Sequence, residues 1–357
     1  MIPLRYILAA GLALTAPAAA QQNASFRVGS AVAAPGTTAY GAIAIPAGSD
    51  SALSIPVAVI RGARPGRVVA FVAGAHGTEY TSIIAMQRLI SRVDARKLTG
   101  TVIVAPLLNS ASFLQMTPHL NPIDRKSMNG LYPGDPSGTQ TQRALAAVTD
   151  QIVVPADVVV DLHGGDLDED LRPYSYWYRG GKAAQDSAGL SLALAFGLDH
   201  IIVADADPTV GRSLSGQALL RDKIVLVAEA GRSGVVAPGD LSALVEGSLN
   251  VLGELKMISR RVTPVRHPVW LAGAGKRVTA DSNGVFFPTV ARDTRVKAGE
   301  VVGHTTDFLG RATGDITSPI DGLVTFIRGV PSMWRGATLV NVAPVLKQPA
   351  PWALPGR

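Results

Sequence analysis

A histidine and a glutamate three residues apart stand where a predicted strand ends and a predicted helix begins. His76 and Glu79 lie in the segment 74–79 (GAHGTE), between an apolar run at 67–73 and an amphipathic run at 80–93. The first run predicts a buried strand, and the second carries apolar residues at helical spacing. Imidazole and carboxylate are good zinc ligands, and two of them leave room for a third ligand and for water. The alternative is a polar loop in which Glu79 stabilises the helix N-terminus.

Two later strand ends carry side chains of the same kinds. His163 follows the apolar run at 157–162 (DVVVDL), and Glu229 follows the run at 223–228 (KIVLVA). If these strands are parallel, their carboxyl ends meet at one edge of the sheet, where ligand sites form. Two histidines and one glutamate around zinc, with one open position, make a site of catalytic type. Such an ion polarises a carbonyl group and lowers the pKa of water.

Glu229 is the expected proton carrier, because amide hydrolysis needs a base that is not itself a metal ligand. The alternative is a structural ion pair between Glu229 and Arg232 or Arg179. Asp161 precedes His163 by two residues, so both side chains leave the strand on one face. We expect Asp161 to orient the histidine; equally, it could only satisfy backbone groups.

The remaining histidines do not follow this strand-end pattern. His119 lies in the loop at 108–138, within reach of the cleft, and is expected to be a plain loop histidine. The others are expected to be surface or packed residues: His200, His267 and His304.

The elements that must position these residues are indicated by the alternation of apolar and amphipathic runs. Residues 24–60 predict two or three strands, and residues 67–260 predict one doubly wound, mixed but largely parallel α/β sheet. The irregular stretch at 108–138 is long for a connection, which is typical of functional loops. The acidic and aromatic segment 166–178 predicts a loop or flap over the cleft.

Beyond residue 262 the pattern changes to short strands and glycine turns. The segments 296–303 and 334–340 echo each other, which predicts a β-rich, lipoyl-like sandwich of two similar halves. The predicted hairpin tip at 307–310 (DFLG) has no lysine, which argues against a carrier role. The predicted organisation is therefore a signal peptide at 1–20, the α/β domain of a zinc hydrolase at 21–260 (with its N-terminal strands at 24–60), a β domain at 261–345 and a tail at 346–357.

The composition indicates the compartment of the protein and the classes of partner that it can bind. A positive start, an apolar run at 6–15 and small residues before Gln21 predict a cleaved signal peptide and a periplasmic location. The 357 residues include no cysteine, so any metal site must use histidine and carboxylate. The net charge of +6 allows weak attraction to an anionic surface, but no basic cluster interleaved with aromatics supports nucleic-acid binding. No later stretch is apolar and long enough to predict stable membrane insertion.

These motifs resemble the succinylglutamate desuccinylase/aspartoacylase family of the zinc carboxypeptidase-like superfamily. The segment 74–79 is similar to the family's G-x-H-G-x-E, the segment 161–165 (DLHGG) to its third-ligand strand, and 229–231 (EAG) to its general-base element. The β-rich tail is similar to the family's C-terminal domain. The resemblance implies a fold of zinc carboxypeptidase type, one bound Zn²⁺ per chain and hydrolysis of an amide, commonly an N-acyl group on an amino acid.

The substrate-binding loop departs from the family pattern. Where the family carries D-L-N-R-x-F-P-G, this chain has SMNGLYPG at 127–134, so Asn129 is kept and Gly130 replaces the arginine. A second arginine, which would stabilise the oxyanion, is expected near 116–118 and is missing. Asn129 therefore stays a candidate substrate-binding residue, and arginines elsewhere could supply the missing charge, with Arg125, Arg172 and Arg179 as the candidates.

Together these features predict an exported zinc hydrolase that cleaves an amide bond in a small acylated amino acid or peptide. His76, Glu79 and His163 would bind the metal, and Glu229 would act as base and then as acid. A nearer alternative is a carboxypeptidase or peptidoglycan-peptide amidase. An alternative of another class is a degenerate protein that holds a ligand or metal without turnover.

Overall fold

The computed structural model of the chain describes residues 24–206, 209–273 and 275–347. The predicted signal peptide and residues 348–357 of the predicted tail lie outside the described residues. No helix in the described part of the chain is both long enough and apolar enough to cross a membrane. The helices are α1 (Tyr80–Arg92), α2 (Ser110–Gln115), α3 (Gln140–Val148), α4 (Ala183–Phe196), α5 (Leu214–Leu219) and α6 (Pro238–Glu254), with a π-helical turn at Thr149–Val153 and a 3-10 turn at Val210–Arg212.

The strands are numbered in chain order along the described residues. Those of the first part are β1 (Phe26–Val28), β2 (Ala31–Ala33), β3 (Thr37–Ile45), β4 (Leu53–Arg61), β5 (Arg64–Ala73), β6 (Thr99–Ala105), β7 (Val158–His163), β8 (Glu169–Leu171), β9 (Tyr174–Arg179), β10 (His200–Asp205) and β11 (Ile224–Glu229). Those of the second part are β12 (Val269–Ala272), β13 (Lys276–Thr279), β14 (Gly284–Pro288), β15 (Arg295–Val296), β16 (Val301–Thr306), β17 (Ala312–Thr317), β18 (Gly322–Arg328), β19 (Ser332–Met333), β20 (Thr338–Ala343) and β21 (Val345–Leu346).

A ten-stranded mixed sheet forms the centre of the molecule. Its strand order is β21-β12-β10-β9-β11-β7-β5-β6-β4-β3. Strands β11, β7, β5 and β6 are parallel to one another, so β5, β7 and β11 end at the same edge. The predicted mixed α/β sheet is confirmed, and its parallel centre brings the strand-end residues together.

Apolar layers cover both faces of this sheet, as the predicted double winding requires. On one face, side chains such as Phe71 and Trp177 pack against helices α1, α4 and α6. On the other face, side chains such as Val72 and Tyr176 pack against α3, α5 and the β1–β2 hairpin. Because both faces of these strands are buried, their sequences are apolar without interruption.

The second half of the segment predicted as a loop or flap is instead strand β9 of the central sheet, so the prediction was wrong there. Strand β9 lies between β11 and β10, antiparallel to β11 and parallel to β10. Its tyrosines alternate with Ser175 and Trp177, both of which are buried. This alternation was not recognised in the sequence because an acidic stretch precedes β9.

Two smaller sheets form the C-terminal β region. One has the order β13-β20-β18-β15, the other β17-β16-β14-β19, and side chains of both, such as Phe286 and Val340, share one apolar core. The two parts of the chain are interwoven across the predicted boundary at residue 261. Strand β8 pairs with β18 of the small sheet, whereas β12 and β21 belong to the central sheet.

Candidate metal centre and active site

The turn between β5 and α1 sets the positions of His76 and Glu79. Gly74 opens the turn with φ +68°, a conformation that favours glycine, and helix α1 follows directly after Glu79. Across this turn, Nδ1 of His76 lies 2.7 Å from Oε1 of Glu79. A Cβ atom at Gly77 would lie 2.3 Å from the backbone nitrogen of Phe113, so the α2 segment packs closely against the turn.

His163 reaches the same carboxylate from the end of the neighbouring strand. Its Nδ1 lies 3.0 Å from Oε2 of Glu79, and the backbone N–H of Gly164 donates to that oxygen at 3.1 Å. The two Nδ1 atoms therefore face the two oxygens of one carboxylate. His76, Glu79 and His163 offer ligand atoms that all lie within 4.8 Å of one another, which suits a single metal ion.

The outer nitrogen of each histidine has a polar neighbour. The side-chain amide nitrogen of Asn129 lies 3.4 Å from Nε2 of His76, and Oδ1 of Asp161 lies 3.4 Å from Nε2 of His163. A carboxylate at this position accepts from the outer nitrogen and so orients a ligating imidazole, a role that the amide nitrogen of Asn129, a donor, cannot fill. Asp161 thus stands where the predicted orienting role requires it, and Asn129 lies at the candidate centre.

The charges of this cluster are strongly coupled. Burial opposes ionisation of Glu79, yet the charges of His163 and His76 lower the pKa of Glu79 to about 2. Burial likewise opposes protonation of His163, but Glu79 and Asp161 hold the pKa of its imidazole well above the usual range. Two nitrogen donors and an ionised carboxylate form the donor set that Zn²⁺ takes with a fourth position open. The residues therefore fit a catalytic zinc ion.

Glu229 stands beside this cluster, at the end of the next strand. It lies opposite His163 in the parallel register of β11 and β7. The hydroxyl of Tyr174 donates to Oε2 of Glu229 at 3.0 Å, and within the described residues Glu229 forms no ion pair with an arginine or lysine. Burial and the charge of Glu79 raise the pKa of Glu229 to about 7, against the opposing charge of His163 and the hydrogen bond from Tyr174. A carboxyl group with such a pKa can both accept and release a proton near neutral pH.

Comparison with known proteins identifies the family. A sequence model described as the succinylglutamate desuccinylase/aspartoacylase catalytic domain matches residues 65–255, which is more than half of the chain. The chain belongs to this family. It is 28% identical over 320 residues to the N-alpha-acetyl-L-2,4-diaminobutyric acid deacetylase of Halomonas elongata, covering 86% of this chain and 92% of that protein.

Solved structures share the fold over nearly the whole described chain. The succinylglutamate desuccinylase/aspartoacylase of Rhodobacter sphaeroides has a TM-score of 0.77 at 26% identity, covering 87% of this chain and 96% of that one. The product-bound ectoine utilization protein EutE (DoeB) of Ruegeria pomeroyi has a TM-score of 0.78 at 21% identity, covering 86% and 95%. The second similarity is one of fold alone.

His119, expected to be a plain loop histidine, lies against the candidate metal centre of this family member. Its ring centroid is 5.9 Å from that of His76. Nε2 of His119 lies 2.9 Å from Oδ1 of Asp168, and Nδ1 lies 3.3 Å from Oδ2 of Asp166. Burial opposes its protonation, yet the hydrogen bond to Asp168 and nearby acidic charge raise the pKa of His119 to about 9. A sequence signal existed, because His119 directly follows 116–118, where the family pattern expects an arginine.

Two further residues at the centre were also missed from the sequence. Tyr174 lies in the segment predicted as a flap, so its contact with Glu229 was not expected. Glu169 of β8 has a pKa raised by burial to about 7, and one of its oxygens accepts from the backbone N–H of Asp166 at 3.1 Å. No sequence pattern distinguishes Glu169 from its acidic neighbours.

The structure does not bring the three candidate arginines to the metal centre. Arg179 pairs with Asp205 and stacks on Trp177, on the face of β9 opposite the tyrosines that include Tyr174. Arg172 pairs with Asp199 and Asp293. The side chain of Arg125 is exposed and has no hydrogen bond or ion pair within the part of the chain described.

Proposed function

We propose that this chain is a zinc-dependent hydrolase that releases the acyl group of an N-acyl amino acid by cleaving its amide bond. The observation that carries the proposal is the convergence of two Nδ1 atoms on the carboxylate of Glu79, with the carboxyl of Glu229 beside them. Membership of a family named for deacylases supports the reaction class. We propose in addition that the fold of this chain is of zinc carboxypeptidase-like type.

His76, Glu79 and His163 would hold the metal. When bound there, Zn²⁺ would polarise the substrate carbonyl and make water more acidic. Asp161 accepts from the outer nitrogen of His163, so that the inner nitrogen of this histidine keeps facing Glu79. Glu79 accepts from the backbone N–H of Gly164, directly after β7.

Glu229 would move the proton that the reaction requires. The water oxygen bonds to the amide carbon, and Glu229 accepts the proton that the water loses. Glu229 then delivers this proton to the amide nitrogen as the C–N bond breaks, and the second proton of the water also passes to the amine, so the products are a carboxylate and a protonated amine. The Tyr174 hydroxyl holds Oε2 of Glu229, which leaves Oε1 to carry the proton.

A substrate panel on the mature protein tests this function. We expect hydrolysis of N-acyl amino acids, with lower rates on short peptides and muropeptides. Glu229→Gln should abolish turnover, because the amide cannot accept the proton. Faster cleavage of peptides or muropeptides would favour the carboxypeptidase or amidase alternative. Bound zinc without hydrolysis of any amide would favour the degenerate binding protein.

We also propose that the protein is exported to the periplasm. The support is the predicted signal sequence before Gln21 and the absence of cysteine, which leaves the fold independent of the redox state of its compartment. Mass spectrometry of the protein from the periplasmic fraction should find Gln21 at the N-terminus. An intact Met1 on a protein that stays in the cytoplasm would contradict export.

A further inference from the structure

His119 and Asp166 form a second group of possible metal ligands beside the candidate zinc centre. Their ligand atoms and one nitrogen of His76 all lie within 4.8 Å of one another. Nδ1 of His119 lies 3.3 Å from Oδ2 of Asp166. Two ligands at zinc bonds of about 2 Å stand about this far apart in a tetrahedral site. His119 and Asp166 are absent from the first ligand set, whereas His76 belongs to both.

The outer nitrogen of His119 has the carboxylate partner that a ligating histidine usually has. Nε2 of His119 lies 2.9 Å from Oδ1 of Asp168, so an N–H at this nitrogen donates to the carboxylate. The other nitrogen, Nδ1, then faces Asp166. The second oxygen of Asp168 accepts from the buried guanidinium of Arg328 at 2.9 Å. The imidazole is therefore held on the side that faces away from Asp166.

The carboxylate of Asp166 is fixed in position by its hydrogen bonds. Its side chain is fully buried. Oδ1 accepts from the hydroxyl of Thr78 and from the backbone N–H of Leu167, and Oδ2 accepts from the backbone N–H of His119. Each carboxylate oxygen has two lone pairs, so Oδ2 keeps one for the group that faces it, either a ring proton or a metal ion. The side chain of His119 is 38% exposed, so an ion can reach this group from solvent.

We infer that His119, Asp166 and His76 form a second zinc site, and that filling this site inhibits hydrolysis. One nitrogen lone pair binds one ion, so an ion at the second site competes with the catalytic zinc for His76. By linkage, each ion then lowers the affinity of the protein for the other. The second ion must also displace the ring proton of His119, so we expect it to bind more weakly than the first. The inhibition rests on the proposed function, whereas the binding of the second ion does not.

Titration of the zinc-loaded mature protein with further Zn²⁺ tests the inference. Calorimetry of the parent should show one further, weaker ion per chain, which dialysis removes. His119→Ala and His119→Gln should keep the first ion and weaken binding of the further ion by at least about tenfold, because neither side chain replaces the imidazole as a zinc ligand. Excess zinc should inhibit hydrolysis by the parent. His119→Gln should need at least about tenfold more zinc for the same fractional inhibition.

The control is His304→Ala, which removes an imidazole that likewise contacts an aspartate, with Nδ1 2.7 Å from Oδ1 of Asp315. This pair is exposed and lies in the C-terminal β region, so its loss should leave the further ion in place. A parent that binds no further ion would overturn the inference, as would a further ion that both His119 variants retain or that His304→Ala loses. Equal inhibition of the parent and His119→Gln by zinc would overturn the inhibitory role. If one zinc per chain and hydrolysis are found without the further ion, only the second site fails.

Discussion

The carboxyl group of Glu229 is balanced between opposing neighbours. Burial and the charge of Glu79 favour its protonated form, whereas His163 and the Tyr174 hydroxyl favour the carboxylate. The pKa of about 7 that results is suited to a group that must accept and later release a proton. Tyr174 is the neighbour that can be removed without altering a candidate metal ligand.

Tyr174→Phe should move the acidic limb of the pH profile of kcat/KM to higher pH. The hydroxyl stabilises the carboxylate of Glu229, so its loss raises the pKa and reduces the ionised, active fraction at low pH. A shift of about half a unit to one unit is the size expected for one hydrogen bond. Tyr40→Phe, at a tyrosine that is 71% exposed, is the matched control. A limb that stays in place, or moves to lower pH, would contradict the role of Tyr174.

The site residues that could be predicted from the sequence are those that directly follow a predicted strand. His76, His163 and Glu229 each follow an apolar run, so their meeting follows from the rule for parallel strands. His119 has no such context. Its approach to the centre depends on how a long loop folds over the sheet, which periodicity does not encode.

At the scale of elements, the turn that carries His76 is shaped by its packing against α2. The nearest atoms to a Cβ at Gly77 are backbone atoms, the nitrogen of Phe113 and the oxygen of Asn109, at 2.3 and 2.5 Å. Backbone atoms cannot move aside as a flexible side chain can. The turn and α2 therefore fix each other's positions.

Gly77→Ala should lower the free energy of unfolding by about 1–3 kcal/mol, because the added methyl group overpacks this contact. It should also weaken zinc binding, since relief of the clash displaces the turn between His76 and Glu79. Urea unfolding and zinc titration measure the two effects. Gly239→Ala, in helix α6 with no heavy atom within 4 Å of the added carbon, should be neutral or slightly stabilising. Equal behaviour of the two variants would contradict the packing argument.

Some secondary-structure elements could be predicted from the sequence, and others were missed. The strands and helices around 67–105 and 183–254 could be predicted because apolar periodicity dominates their sequences. Strand β9 was missed because its face carries tyrosines rather than aliphatic residues and an acidic stretch precedes it. On this face Tyr174 is buried, and it contacts Glu229 and packs edge-on against the half-buried Tyr176.

At the scale of the whole molecule, the C-terminal β region reaches the candidate centre through an ion pair. Arg328 of β18 is 2% exposed, and its Nη1 lies 2.9 Å from Oδ2 of Asp168. The other oxygen of Asp168 contacts His119, which in turn packs against His76. The guanidinium also lies over the ring of Trp334, 4.3 Å from its centroid. The boundary between the two parts of the chain therefore includes a polar, buried contact beside the candidate centre.

Arg328→Ala should destabilise the protein by about 3–5 kcal/mol, because it leaves the Asp168 carboxylate without its buried partner. Chemical denaturation measures this loss. Arg311→Ala is the control, since it breaks an exposed pair with Asp307 at the hairpin tip and should change stability little. A loss no greater in Arg328→Ala than in Arg311→Ala would show that the buried pair does not join the two parts.

The central claim is that three ligands hold a zinc ion and that a fourth residue moves the proton. It is tested most directly by measuring metal content and amide hydrolysis together in the mature protein, Glu229→Gln and His163→Ala. We expect the mature protein to bind one zinc per chain and to hydrolyse the amide. Glu229→Gln should keep the zinc and lose hydrolysis, and His163→Ala should lose both. Undiminished zinc in His163→Ala, or undiminished hydrolysis in Glu229→Gln, would contradict the claim.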